Sequence, residues 1–285
     1  MLTLKPEGDA QDIGQYRDLW LVPHGQKLLM HMLNAEYIGA TGWSVPGSQA
    51  GWELGRSCTE QMLALRLMTE HAALESRDLC VGFQDLSTCF MSILKSIQSE
   101  VERQLGVDPA VSQVVEALHH AVQGRFETEH GLSDTFTVDR GTGQGCQNGP
   151  ARAKLIIAPA QRAVSQHCAG YKVRDGEGGS APQMYYADDG CFTTGSLADL
   201  QAIFDLNWFL AKLCGLTVKV KDAEKTAYTA VRYSEGKAYN LETAPIRLPD
   251  GTRIPQILVP VATVAKARHT VAHSGSCKQT ARCNK

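Results

Sequence analysis

Apolar and polar positions recur with two periods along this chain, and the changes of period mark its elements. Between Tyr16 and Tyr37, the residues Leu28, Leu29, Met32 and Leu33 fall at helical spacing, and the pattern ends near Gly39. Residues 39–55 are rich in Gly, Ser and Pro and predict a loop. Ser57 or Thr59 caps the next helix, whose apolar stripe runs Met62, Leu65, Met68, Ala72. A polar turn at 75–78 leads into a strand, Leu79 to Phe83, that ends at Gln84-Asp85. Asp108-Pro109 starts a one-faced helix carrying Val111, Val114, Val115, Leu118 and Val122, closed by Gly124.

Phe126 to Val138 then predicts a hairpin with Gly131 in its connection. Residues 140–149 hold four glycines and lead into an Ala-rich helix from Pro150 to about Cys168. After a charged, Gly-rich loop at 172–181, two short strands, Gln183 to Tyr185 and Cys191 to Thr194, read as a hairpin with Gly190 at its bend. Ser196 caps a long helix with Leu200, Ile203, Phe204, Leu210 and Leu213 on its buried side and Gly215 past its end. Leu216 to Val220 and Ala227 to Arg232 read as strands; beyond Asn240 the pattern weakens, and the last twenty residues look unstructured. Residues 79–220 thus read strand, helix, hairpin, helix, acidic hairpin, helix, strand. Antiparallel strands backed by helices on one face make an α+β architecture.

Composition narrows the class without naming a chemistry. With 285 residues and 43% hydrophobic content, a packed core is expected. A formal net charge of −2 gives no global attraction to nucleic acid, so any such binding needs a local basic groove. Nine cysteines without a CxxC pair suggest reduced thiols in an intracellular, soluble protein. No apolar run approaches the ~18 residues of a membrane span.

The chemistry concentrates at Tyr186-Ala187-Asp188-Asp189, where adjacent carboxylates sit at the tip of the acidic hairpin. Like charges held this close repel, and a divalent cation relieves the repulsion. Successive strand side chains face opposite ways, so both acids bind one ion only if the turn re-aims one of them. Asp85 stands at the end of the first strand. If that strand neighbours the acidic hairpin, three carboxylates gather at one sheet edge, a ligand set for a pair of Mg²⁺ ions. Taken singly, Asp85 is an ordinary strand-end acid, Phe90 a core aromatic, and Arg17 and Lys27 surface cations. The glycines at 141–149 are a plain loop or a phosphate-cradling nest. His269, His273, Cys277 and Cys283 in the tail match no strong zinc spacing.

Several motifs in a fixed order carry more information than any one of them. Tyr16-Arg17 with Lys27 and Leu28-Leu29 resembles the opening fingers motif of reverse transcriptases of the non-LTR retrotransposon and group II intron type. Gln49-Ala50-Gly51-Trp52-Glu53-Leu54-Gly55-Arg56-Ser57 is similar to that family's second fingers motif. Phe83-Gln84-Asp85 with Phe90 resembles motif A, and Gly141-Thr142-Gly143-Gln144-Gly145 with Gly149-Pro150 resembles motif B. Tyr186 to Asp189 is similar to motif C, and Gly215-Leu216 followed by Lys225-Thr226 to motif D.

The resemblance implies a right-hand polymerase fold. Residues 1–15 would be a disordered lead-in, 16–78 fingers-like, 79–240 palm, and 241–285 a truncated C-terminal region and disordered tail, with the thumb missing or truncated. It further implies RNA-directed DNA synthesis with RNA template, DNA primer, deoxynucleoside triphosphates and Mg²⁺. Asp85 and Asp188 would bind metal with Asp189 beside them, and Lys225 would protonate pyrophosphate. Phe90 would exclude a ribose 2′-hydroxyl, Gln144 and Gly145 would line the nucleotide and template path, and Arg17 and Lys27 would meet the triphosphate. The chain departs from the family's usual form at Asp18, Glu53, Met91 and Gly149, and Lys225 falls later than usual, which makes Lys221 its rival. These departures, and the absence of endonuclease or ribonuclease H segments, predict a fragment or degenerate copy. The alternative from another class is a non-catalytic RNA-binding relic. A palm-type nucleotide cyclase shares the acids but leaves the Gln-Gly and fingers motifs unexplained.

Overall fold

The computed structural model describes residues 2–4, 16–18, 21–120, 123–125, 127–128, 131–143, 145–174, 180–220, 225–241 and 244–259. The chain packs as two compact units that interleave along the sequence: Met1–Val45 with Thr88–Ala158, and Pro46–Ser87 with Pro159–Lys285. Residues 78 and 240, expected as domain limits from the motif order, fall inside the second unit. The tail histidines and cysteines, Gln144 and Lys221 lie outside the described residues. Among the described residues no helix is long and apolar enough to cross a membrane.

The first unit holds β1 (Leu2–Leu4), β2 (Tyr16–Asp18), α1 (His24–Thr41), α3 (Cys89–Ser92), α4 (Lys95–Gln104), α5 (Pro109–His120) and four two-residue strands. β1, a strand within the stretch expected to be a disordered lead-in, pairs antiparallel with β2. The hairpin expected from Phe126 starts earlier and forms as two ladders, β4 (Gln123–Gly124) with β7 (Phe136–Thr137) and β5 (Glu127–Thr128) with β6 (Gly131–Leu132), so Gly124 and Gly131 are strand residues and not a helix stop and a connection. Helix α1 forms where its spacing placed it, yet buries another face. Met30, Tyr37 and Thr41 are buried, whereas Leu28 and Met32 are 63% and 65% exposed. Met30 packs with Val115 and Cys146, and Tyr37 with Leu105, Val107, Ala151 and Leu155. Those two contacts, seven residues apart on the helix, select the inward face.

Helix α4 was not legible as a helix, because its buried positions are polar: Lys95, Gln98 and Glu102. Glu102 accepts from Arg152 Nε at 2.7 Å, from the Tyr37 hydroxyl at 2.9 Å and from the Ser112 hydroxyl at 2.9 Å. Lys95 donates to the carbonyls of His119 and Val138. Buried charge is tolerable only when paired and hydrogen-bonded, and Glu102 meets both conditions. Burial, and then the Glu102 charge, holds the Tyr37 phenol well above its usual range.

Helix α6 (Gly149–His167) runs from the first unit into the second. The second unit also contains α2 (Cys58–Leu74), β3 (Asp78–Gln84), β8 (Tyr171–Lys172), β9 (Ser180–Ala181), β10 (Gln183–Tyr186), β11 (Asp189–Thr194), α7 (Leu197–Leu213), β12 (Ala227–Ser234) and β13 (Lys237–Asn240). Ser57 caps α2 by accepting from the Glu60 N–H at 3.3 Å, and Ser196 caps α7 by accepting from Asp199 N–H at 3.1 Å. Five strands form one antiparallel sheet in the order β10-β11-β3-β12-β13.

Helices cover both faces of this sheet, not one. On one face Leu65, Met68 and Ala72 of α2 pack with Leu79, Val81, Met184, Val231 and Tyr233. On the other, Phe204 of α7 meets Phe192 edge-on with ring centroids 5.5 Å apart. A central strand buried on both sides reads as the near-continuous run Leu79-Cys80-Val81-Gly82. Two further expectations are corrected. Residues 216–220 make no strand but a single bridge, Leu86 with Val218. Leu213 of α7 is exposed, its inward face being Leu200, Ile203, Phe204, Asn207 and Ala211.

Candidate active site

The sheet brings the chemically interesting acids to one edge. β3 and β11 are neighbours, and their last paired positions are Gln84 and Gly190. One step outward in the same register stand Asp85 and Asp189, with Asp189 also paired to Tyr186 across the hairpin. Asp188 occupies the turn between β10 and β11. The bend is therefore Ala187-Asp188 and not Gly190, which lies within β11. A Cβ on Gly190 would come within 3.1–3.2 Å of Tyr185 and Phe192, so packing explains that glycine. Asp189, expected at the tip, is the first strand residue beyond it.

Asp85 is anchored through its backbone. Its N–H donates to Thr226 Oγ1 at 3.2 Å, and its carbonyl accepts from the Lys219 N–H at 2.9 Å. The 216–220 segment, misread as a strand, thus braces the residue after β3. The carboxylate Oδ2 lies 3.2 Å from Lys225 Nζ, with the Asp85 side chain 16% and Lys225 32% exposed. Lys225 stays close because Thr226, its neighbour, is fully buried against Asp85 and immediately precedes β12.

The hairpin base is rigid. Tyr185 is buried and donates to Asn207 Oδ1 at 2.9 Å, while Asn207 donates to the Ile203 carbonyl at 3.0 Å. Burial pushes the Tyr185 phenol up, so it stays a neutral donor. At the turn, Ala187 has φ +62°, in the left-handed region that alanine rarely adopts. Around it closes a feature the sequence did not flag as functional: the Gln49 side chain bonds both backbone groups of Ala187. The only sequence signal for it is the Gln49-Ala50-Gly51 start of the second fingers motif.

Asp85, Asp188, Asp189 and Lys225 thus belong to one unit. Three carboxylates at one edge suit a hard divalent cation in donor chemistry, and Lys225 shows that Asp85 already recruits positive charge. Among the described residues, however, no group of three or more His, Cys, Asp or Glu side chains is drawn together closely enough to hold a metal ion.

The other expected site residues belong to the first unit. Arg17 lies in β2, and Lys27 on α1 is half-buried. Phe90 is half-buried in α3, and its carbonyl accepts from the Thr142 N–H at 2.8 Å. The Gly-rich loop thereby ties back onto the segment after Asp85. Gly141 has φ +91°, and a Cβ there would come 2.8 Å from the Phe90 carbonyl oxygen, so only glycine fits. Gly145 is exposed. A Cβ at Gly149, where the family usually has serine, would meet the Gly143 carbonyl at 2.7 Å, which accounts for that departure.

Residues 5–237 match the family model described as reverse transcriptase (RNA-dependent DNA polymerase). The chain belongs to the reverse transcriptase family. No curated protein sequence matches it. Among solved structures, the chain is similar to apo telomerase from Candida tropicalis truncated from its C-terminal domain. The TM-score is 0.52 at 12% identity, covering 75% of this chain and 44% of that one. It is also similar to telomerase from Candida albicans in complex with a fragment of telomeric RNA, with TM-score 0.51 at 10% identity, covering 79% of this chain and 38% of that one. At such identities the likeness concerns the fold. The chain spans less than half the length of those telomerase chains.

Proposed function

We propose that this reverse transcriptase-family chain is the polymerase domain of a retroelement of the non-LTR or group II type. It would extend a DNA primer on an RNA template with deoxynucleoside triphosphates. The observation that carries the reading is the register that sets Asp85 beside Asp189 at the open end of β3 and β11, with Asp188 on the adjoining turn.

Asp85 and Asp188 would hold Mg²⁺, with Asp189 beside them. When bound, a pair of such ions activates an attacking 3′-hydroxyl and neutralises charge on leaving pyrophosphate. The chain's own residues do the rest. The Thr226 and Lys219 contacts fix the Asp85 backbone, so its carboxylate needs little reordering to engage a ligand. Lys225 Nζ, 3.2 Å from Asp85, holds a proton that it would deliver to the leaving pyrophosphate oxygen. Phe90 as the 2′-hydroxyl gate, Gln144 and Gly145 on the nucleotide and template path, and Arg17 and Lys27 at the triphosphate are proposed on their motif positions alone.

A second reading, a non-catalytic RNA-binding relic, is favoured by one observation. The Asp85 carboxylate is already engaged by Lys225 Nζ at 3.2 Å. Primer extension on a primed RNA template with Mg²⁺ separates the two. The polymerase reading expects extension that Asp188→Asn abolishes. Absence of extension on any primed template, with salt-sensitive RNA binding that Asp85→Asn leaves intact, would establish the relic.

A further inference from the structure

Gln49 is almost fully buried, at 1% exposure, and its amide is committed entirely to backbone. Its Oε1 accepts from the Ala187 N–H at 2.8 Å and from the Gly51 N–H at 2.8 Å, and its Nε2 donates to the Ala187 carbonyl at 2.9 Å. The segment carrying it is itself fixed as a short parallel addition to the edge of β10. Tyr185 N–H donates to the Ser48 carbonyl at 2.8 Å, and Ala50 N–H to the Tyr185 carbonyl at 2.8 Å. Gly51 completes the enclosure, since a Cβ there would stand 2.2 Å from the Ala187 nitrogen. Ala187, held on both its N–H and its C=O, is the residue whose left-handed φ of +62° turns the chain into Asp188.

We propose that Gln49 is a positioning residue: its amide sets the left-handed conformation of Ala187 and thereby the direction in which the turn presents Asp188 and Asp189. The Ala187 carbonyl belongs to the peptide bond leading into Asp188, so pinning it pins the Cα of the acid. A primary amide is the side chain that supplies one donor and one acceptor in a plane at this reach. Glutamate at 49 loses the donor and sets a carboxylate against the Ala187 carbonyl; methionine keeps the volume and loses every bond. The Asp188 and Asp189 carboxylates, one and two residues beyond Ala187, are placed through this contact. The catalytic consequence rests on the polymerase reading above, whereas the turn-setting role does not.

The test compares the full-length chain with Gln49→Met, Gln49→Glu and the double variant Gln49→Met/Ala187→Gly. The readouts are Mn²⁺ titration followed by electron paramagnetic resonance, primer extension with kcat and dNTP KM separated, thermal unfolding, and amide exchange at Ala187. Losing an outer contact of this kind typically costs about 10–100-fold in metal affinity or activity. Gln49→Met should lose that much in Mn²⁺ affinity and kcat, with dNTP KM within about threefold and the Ala187 amide deprotected. Glycine tolerates the left-handed turn without a clamp but does not hold it. The double variant should therefore recover melting temperature without recovering kcat or Mn²⁺ affinity; stability and activity returning together would mean a merely structural role and overturn the proposal. Wild-type Mn²⁺ affinity and kcat in both single variants would overturn it while leaving the polymerase reading intact. If the wild-type chain neither binds Mn²⁺ nor extends primers, the polymerase reading fails. Amide exchange then decides alone: deprotection of Ala187 in Gln49→Met supports the role, and unchanged protection rejects it.

Discussion

Replacing Glu102 by leucine should destabilise the first unit more than any other single change on α4. The carboxylate is 2% and the Arg152 side chain 3% exposed, with Nε 2.7 Å from Oε1. Removing one partner of a buried pair leaves an uncompensated charge and costs about 3–5 kcal/mol, a large share of the ~5–15 kcal/mol that stabilises a domain. The two single changes are not equivalent. Glu102→Leu strands a guanidinium whose Nη1 already lacks a partner, and it orphans the hydroxyls of Tyr37 and Ser112. Arg152→Met leaves a carboxylate that still accepts from both hydroxyls. The first should lie near the upper end of the range and the second near about 3 kcal/mol. The double variant Glu102→Leu/Arg152→Met removes both charges and should lie closer to wild type than either single change. Urea unfolding, with amide exchange on α4 to isolate the first unit's transition, measures all four corners of the cycle. Two single effects below about 1 kcal/mol, or simple additivity in the double variant, would refute the reasoning.

Two further outcomes follow from the second unit. Lys225 competes with a divalent cation for Asp85 through a partly exposed ion pair worth about 0.2–1 kcal/mol, so Lys225→Gln should tighten Mn²⁺ binding by up to about fivefold; weaker binding in that variant, read by the same resonance titration, would contradict the competition. Burial, with the Asp78 charge adding to it, pushes the Cys80 thiol up to about 12. At pH 8 the reactive thiolate is then roughly one part in ten thousand, and it grows only as pH climbs toward that value. Iodoacetamide should spare Cys80 in the folded chain and label it after denaturation, as peptide mass mapping would read out.

The caps at Ser57 and Ser196, the central strand and the order of the acids were legible in the sequence. Each is decided within a few residues by hydrogen-bonding chemistry or by burial on both faces. Helix α4 was not, because its inward side chains Lys95, Gln98 and Glu102 are polar and their partners lie elsewhere in the chain: Glu102 meets Tyr37, Ser112 and Arg152, and Gln98 the Gly141 carbonyl. Helix α1 was legible as a helix but not in its orientation, since apolar residues occur around it and only packing at Met30 and Tyr37 chose the buried side.

The sequence by itself determined which carboxylates could matter, because residue type and spacing are local properties. Only the tertiary structure decided that Asp85 stands beside Asp189, that Lys225 occupies Asp85, and that Gln49 holds the turn before Asp188. The last is a contact across 138 positions of chain. Strand order and side-chain reach across a sheet edge come from the packing of whole elements, and no window of neighbouring residues contains that information.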